Sequence, residues 1–253
     1  MPSFASRRGS QPAGARGYRA YVVGDIHGRL DLLEDLLAKI HAELQHRPAK
    51  KTLLVFVGDL IDRGPSSAQV IERLRAYRRQ GIQTIFLLGN HEEVLLRIVG
   101  GESDLITKWR WFGGSDCLQS YGVDVAQFAR LSEADALAAV RAAIPREHVE
   151  FLETFADSCR FGDYLFVHAG IRPGVQLELQ AQSDLRWIRE PFLLDDSDHG
   201  FVVVHGHTIS EDAELLPNRI GIDTGAYRTG VLTALAIEGT ERWFVYTRPA
   251  ARD

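Results

Sequence analysis

Sulfur is scarce in this chain, and no long apolar run is present. Its 253 residues hold one methionine and two cysteines, Cys117 and Cys159, in no Cys-x-x-Cys arrangement. That excludes a disulfide framework and a cysteine-rich metal site, and both thiols are expected to be reduced and buried. No stretch reaches the about 18 consecutive apolar residues that a membrane-spanning helix needs. Positive charge is not in excess either. The formal charge of −5 supplies no general attraction for nucleic acid or an anionic membrane. Residues 1–17 are rich in Arg, Ser, Gly and Ala without a hydrophobic stretch. They fail as a secretory signal and read as a disordered leader. The expectation is a cytoplasmic monomer that binds neither nucleic acid nor membrane.

What remains is ample for a core. With 45% hydrophobic and 25% charged residues the composition is that of a globular protein. No repeat or linker divides it, so a single domain over residues 18–248 is expected, followed by a tail at 249–253. Tyr18–Val23, Thr52–Val57 and Thr84–Leu88 read as strands. Between them lie helical patterns: Leu30, Leu33, Leu37, Ile40 and Leu44 at spacings of three and four, then Val70, Ile71, Leu74 and Tyr77 after Pro65. Asp31 and Glu34 resemble a capping box. A third helix carries Val94, Leu95 and Ile98. Residues 100–160 read as a helical cap packed on the sheet, with Trp109, Trp111 and Phe112 before a Gly113-Gly114 break. Strand patterns return at Tyr164–Val167, Phe201–Val204, Ile220–Asp223, Val231–Ile237 and Arg242–Thr247, the last two joined as a hairpin through Glu238–Glu241. Such alternation predicts an α/β core, with ligands beyond the carboxyl ends of its strands.

Glycine-flanked turns stand at those ends. Gly24-Asp25-Ile26-His27-Gly28, Gly58-Asp59-Leu60-Ile61-Asp62-Arg63-Gly64 and Gly89-Asn90-His91-Glu92 follow the first three strands. Val167-His168-Ala169-Gly170 and His205-Gly206-His207-Thr208 follow later ones. Two-metal hydrolases hold divalent ions about 3.5–4 Å apart, so one ligand must bridge them, and Asp59 is the natural candidate. Asp25 and His27, two residues apart, leave an extended segment on one side and can grip one ion. Asn90, His168 and His207 offer donors for the second. Oxygen and nitrogen donors without thiolate suit manganese first, with iron or zinc as alternatives.

The series GDIHG, GDLIDRG, GNHE, HAG and HGHT resembles the phosphoprotein phosphatase (PPP) family of calcineurin-like metallophosphoesterases, in particular its bacterial and phage lambda phosphatase-like branch. Trp187–Glu190 and Gly221–Gly225 resemble that branch too, and the likeness runs from Tyr18 to Arg248. It implies an α/β (α+β) fold of two mixed sheets in a central sandwich flanked by helices. It also implies that Asp25, His27 and Asp59 hold one ion, while Asp59, Asn90, His168 and His207 hold the other. His91, oriented by Asp62, would protonate the leaving alkoxide. Arg63 and a second arginine would bind phosphoryl oxygens; Arg189 is the choice and Arg186 its competitor. Tyr227 is a candidate for the substrate pocket. His205 is expected to pack or to support a ligand, Glu92 and Glu93 to help position the loop or helix start, and His41, His46, His148 and His199 to lie at the surface.

The reaction implied is in-line attack by a metal-bridging hydroxide without a covalent enzyme intermediate. The leading substrate is phosphoserine or phosphothreonine in a protein, with phosphotyrosine a possible addition. A diadenosine tetraphosphate hydrolase or other nucleotide phosphoesterase shares the motifs. A reading of a different class is a metal-bound scaffold that binds phosphorylated partners without hydrolysis. Residues 100–160 and 171–198 are the expected source of substrate selection.

Overall fold

The computed structural model describes residues 11–49 and 51–247. Strands β1 (Tyr18–Val23), β2 (Lys51–Phe56) and β3 (Ile82–Phe86) lie parallel, side by side. The chain then builds a second sheet from β4 (Ser158–Phe161), β5 (Tyr164–Val167), β6 (Val202–His205), β7 (Glu214–Leu215) and β8 (Arg219–Gly221). It returns to the first sheet through β9 (Thr233–Glu238) and β10 (Glu241–Tyr246). The orders are β10-β9-β1-β2-β3 and β4-β5-β6-β8-β7, each sheet mixed in direction. Glu238 pairs with Glu241 across the two-residue turn Gly239-Thr240, where Gly239 has φ 57°.

The strand sequences explain the layers. Ala20, Val22, Val55, Leu235 and Ile237 face Phe166, Val204 and Ile220 in the interior of the sandwich. Their alternate neighbours Tyr21, Val23, Leu54, Phe56 and Ala236 point outward, under helix α1 (Leu30–His46), α2 (Ser67–Arg75) and α3 (Asn90–Gly100). Burial on both faces is why these strands read as continuous apolar runs. On the far side, Leu165, Val167 and Val203 are covered by Leu185, Ile188 and Phe192. Two mixed sheets packed face to face and flanked by helices are the architecture the resemblance implied.

The 100–160 region is helical: α4 (Leu105–Trp109), a π-helical turn at Arg110–Gly114, α5 (Ser115–Ser120), α6 (Val125–Phe128), α7 (Glu133–Ala143) and α8 (Arg146–Leu152). Their buried residues join the core beneath α1–α3, and Phe151 meets Phe86 of β3 edge to face. Two short helices complete the set, α9 (Gln182–Trp187) and α10 (Ala226–Thr229). No helix among the described residues is long and apolar enough to cross a membrane.

Several expectations differ from what is seen. Residues 1–10 of the expected leader and residues 248–253 lie outside the described residues. Residues 11–17 are ordered: Ala13 N–H donates to the Asp163 carboxylate, Gly14 N–H to the Gly239 carbonyl, and Ala15 packs on the sandwich core. Asp31 caps no helix: α1 begins at Leu30, so Asp31 lies inside its first turn, where Arg29 bonds its carboxylate at 2.6 and 2.9 Å. Nor is His148 at the surface. It is 5% exposed, bonded to the Tyr121 hydroxyl at 2.9 Å and the Glu72 carboxylate at 3.1 Å. His41 and His199 are half-buried, and only His46 of that group is exposed. Of the two free thiols, Cys117 is buried and Cys159 half-buried.

Candidate active site

Every motif residue leaves the carboxyl end of a parallel strand: Asp25 after β1, Asp59 after β2, Asn90 after β3, His168 after β5, His207 after β6. The backbone there is unusual. The non-glycine residues with left-handed φ among those described are His27, Asp59, Asp62, Arg63 and His207, at 45° to 70°. Such conformations cost about 1–3 kcal/mol each and persist only where surrounding contacts enforce them. Glycine makes room as well. A Cβ on Gly206 would overlap Asp25 Oδ1, and one on Gly89 would overlap Asp59 Oδ1.

Asp59 sits between two groups of donors, His27 and His91 on one side and His168 and His207 on the other. Its Oδ2 lies 3.6 Å from His27 Nε2 and its Oδ1 3.4 Å from His168 Nε2. Each oxygen thus faces a different group, the disposition a bridging carboxylate requires. Asn90 Oδ1 lies 2.9 Å from both His168 Nε2 and His207 Nδ1. Asp25 Oδ2 accepts the His207 N–H at 3.0 Å.

The second nitrogen of each histidine decides what the first can do. His27 Nδ1–H donates to the Ile61 carbonyl and His168 Nδ1–H to the Val57 carbonyl, both at 2.8 Å. Each therefore presents a bare Nε2 to the centre. Burial lowers the His27 imidazole to about 3 and also lowers His168 and His207, so all three are neutral near pH 7 and in the form that binds metal. A bare His168 Nε2 against the Asn90 oxygen sets lone pair against lone pair, an arrangement a cation would resolve. Asp25 Oδ1 and His207 Nε2 are buried without a hydrogen-bond partner. Burial, then Asp223 and Asp59, push Asp25 well above the usual carboxylate range. These residues fit two divalent cations.

His91 is different. Its Nδ1–H donates to the Asp62 carboxylate at 2.6 Å rather than to a carbonyl. Burial opposes charge on the ring, but Asp59 and Asp62 outweigh it and hold His91 up at about 9. A charged imidazole is a proton donor and not a ligand. Its Nε2 lies 3.4 Å from a nitrogen of Arg63 and 3.8 Å from Asp59 Oδ2. The Arg63 guanidinium stacks over Tyr227, 4.7 Å from the ring centre. So Tyr227 backs Arg63 from behind and does not line the main cavity.

That cavity, of about 260 Å³, is lined by His27, Asp59, Arg63, Asn90, His91, Arg189 and His207, with Val94, Leu105, Phe112 and Trp187 among its apolar walls. Arg189 is at this wall, its guanidinium 3.5 Å from the His207 carbonyl. Arg186 is turned away into ion pairs with Asp157 at 2.6 Å and Glu93 at 3.2 Å. His205 is buried against Phe192 and does not enter the centre.

Three further residues support the centre, and Glu92 positions the loop as its place in the Gly89–Glu92 motif led one to expect. Glu92 is fully buried and accepts N–H bonds from Asp59, Leu60, Ile61 and Gly89 at 2.8–3.3 Å, clamping the bridging loop. Trp109 Nε1–H donates to Asp62 Oδ2 at 2.9 Å. Asp223 lies beside Asp25, and burial and Asp59 push it up to about 6. Its place at a strand end between two glycines carried the same signal as the ligands; for Trp109 no sequence signal existed.

Fold and site together define a metal-dependent hydrolase of phosphate esters. A family model for calcineurin-like phosphoesterases matches residues 18–230, and the chain belongs to that family. It is 30% identical to serine/threonine-protein phosphatase 1 of Salmonella typhimurium over 233 residues, covering 88% of this chain and 94% of that one. It is also 26% identical to the asymmetrical bis(5'-nucleosyl)-tetraphosphatase PrpE of Anoxybacillus flavithermus over 239 residues, 85% and 88% of the two chains. A solved structure assigned provisionally as a diadenosine tetraphosphatase superposes with a TM-score of 0.65 at 23% identity, over 94% of this chain and all of that one.

Proposed function

We propose that the chain is a two-metal phosphomonoesterase acting on phosphoserine and phosphothreonine in proteins. The observation that carries this reading is the Asp62–His91 pair, whose imidazole is held charged beside the cavity. Serine and threonine leave as alkoxides, which are poor leaving groups unless protonated. A phosphoanhydride releases a phosphate that needs no such help. A held proton is thus more useful to a phosphomonoesterase than to a dinucleotide hydrolase.

Asp25, His27 and Asp59 would hold one ion, and Asp59, Asn90, His168 and His207 the other. When bound, the ions would acidify a water to supply the nucleophile and neutralise phosphoryl charge. Manganese is the working metal in this reading, and the setting is cytoplasmic. Arg63 and Arg189 reach the cavity from opposite motifs and would hold two phosphoryl oxygens in the orientation for in-line displacement. His91 Nε2–H would deliver its proton to the departing oxygen while Asp62 keeps the ring in place. Glu92 fixes the loop that carries Asp59, Asp62 and Arg63.

A second reading has its own observation. Phe112 and Trp187 line the cavity and are 52% and 39% exposed, so a nucleobase could stack there. A Mn²⁺-loaded panel of phosphoserine, phosphothreonine and phosphotyrosine peptides, dinucleoside polyphosphates and nucleotides separates the two. Fast phosphoserine or phosphothreonine turnover is expected. Fast dinucleotide cleavage with peptide turnover at background would replace the first reading by the second, and no hydrolysis at all would leave a phosphate-binding scaffold.

A further inference from the structure

We propose that Trp109 is a positioning residue for the proton donor, holding Asp62 so that Asp62 can hold His91. The inference rests on the reading of His91 as the acid. The indole is 2% exposed and its Nε1–H meets Asp62 Oδ2 at 2.9 Å. That same oxygen accepts the His91 Nδ1–H at 2.6 Å. Asp62 Oδ1 is buried and receives no N–H or O–H bond, with the Cys117 thiol beside the same carboxylate. One carboxylate oxygen therefore carries both bonds, and the indole fixes the plane in which the carboxylate meets the imidazole.

The surrounding chain is shaped to keep the indole there. Gly114 lies against its ring, where a Cβ would overlap Cδ2 and Cε2. The π-helical turn between Trp109 and Gly114 contains Gly113 at φ 109°, whose carbonyl accepts the Arg63 N–H at 3.2 Å. One irregular turn thus ties both the proton donor and a phosphate-binding arginine to α4. Asp62 itself has φ 70° and its N–H is held by Ser67 Oγ at 2.9 Å. A strained residue at a fixed backbone position needs its side chain fixed by something outside the loop, and Trp109 is placed to do so. A tryptophan that only filled the core would need no N–H at this point, and phenylalanine would serve.

The test separates the N–H from the bulk of the ring. Trp109→Phe and a chain carrying benzothienylalanine at position 109, which replaces the indole N–H by sulfur at nearly equal volume, are compared with wild type and His91→Asn. Each Mn²⁺-loaded protein is assayed on aryl phosphates whose leaving phenols range from p-nitrophenol to phenol. General acid catalysis matters most for the least acidic leaving group, and a misplaced donor loses roughly 10-fold to 100-fold there. The expected result is a kcat loss of that order on phenyl phosphate, a much smaller one on p-nitrophenyl phosphate, and unchanged KM and bound manganese. His91→Asn should show the same trend more strongly. If His91→Asn shows the trend and neither position-109 variant does, Trp109 is core packing and the inference fails. If His91→Asn shows no trend either, it is the reading of His91 as the acid that fails.

Discussion

Replacing Glu92 by glutamine probes how the bridging loop is held. The carboxylate accepts N–H bonds on both oxygens: Oε2 from Asp59 at 2.9 Å and Gly89 at 3.1 Å, Oε1 from Leu60 at 2.8 Å and Ile61 at 3.3 Å. All four contacts are donors, so the geometry needs the ionised form. Burial, and then Asp59, nevertheless push this carboxyl up to about 8. Cations at Asp59 would relieve that repulsion, which couples metal binding to the clamp. Glu92→Gln keeps the shape but turns an NH₂ toward two N–H groups. Each buried donor left without an acceptor costs about 1–3 kcal/mol, so the loss with metal bound is about 2–6 kcal/mol. Without metal, a carboxyl at about 8 is already largely protonated near pH 7, so the substitution changes less. Urea unfolding in Mn²⁺ and in EDTA measures both. The expected outcome is a variant destabilised mainly in Mn²⁺, with weakened metal affinity. Unfolding midpoints and Mn²⁺ affinity equal to wild type would refute the clamp.

Other perturbations test the remaining parts. His91→Asn should lower turnover of an alkyl phosphoester about 10²–10⁴-fold with metal content near wild type; loss of metal in step with activity would make His91 a ligand. In the wild type the charged donor exists below about pH 9 and is lost as pH rises through that value. Cations near Asp59 lower the value, so the alkaline fall in turnover belongs at or below it. Arg189→Ala should reduce kcat on any phosphoester, whereas Arg186→Ala should remove an ion-pair partner from Asp157 and Glu93, cost stability in a thermal melt and spare kcat; the reverse pattern would exchange their roles. Gly206→Ala places a methyl on Asp25 Oδ1, so bound metal measured by elemental analysis should fall, and a fully loaded variant would show that the loop yields.

Much of this was legible in the chain because strand ends are written plainly. The apolar runs before Asp25, Asp59 and Asn90 become β1, β2 and β3, with bounds displaced by one or two residues at Lys51 and Ile82. β4 and β7 escaped notice because Ser158–Phe161 and Glu214–Leu215 are short and partly polar, and pairing with a neighbour is what makes them strands. Asp31 and Glu34 form no capping box because α1 begins at Leu30, one residue ahead of Asp31, and Glu34 is drawn into an ion pair with Arg73. Trp109 stands 47 residues from Asp62, and no periodicity tells whether an indole fills space or donates a bond. Long-range hydrogen bonds of single side chains are the part of a fold that local patterns do not encode.

The centre also shows why residue type alone cannot assign a role. His27, His91, His168 and His207 all lie close to Asp59. Burial keeps His27 and His168 neutral, and the carbonyl partners on Nδ1 leave Nε2 bare. At His91, Asp59 together with the Asp62 carboxylate bonded to Nδ1 keeps the ring charged. Ile61 and Val57 set which nitrogen is bare, Asp62 adds the negative charge that sets His91 apart, and Ile61 and Asp62 both lie in the loop that Glu92 clamps. The candidate metal ligands and the proposed proton donor are therefore positioned by the strand-end turns as one unit. The outer cavity wall comes from elsewhere, from Leu105 and Phe112 near α4 and from Trp187 and Arg189 at the end of α9. Within them, the Trp187 indole donates to Glu93 and the Phe112 ring lies by Lys108, neither of them a candidate ligand. Substitutions at Phe112 and Trp187 should accordingly alter the ranking of substrates in the peptide and dinucleotide panel while leaving hydrolysis of a small aryl phosphate largely intact.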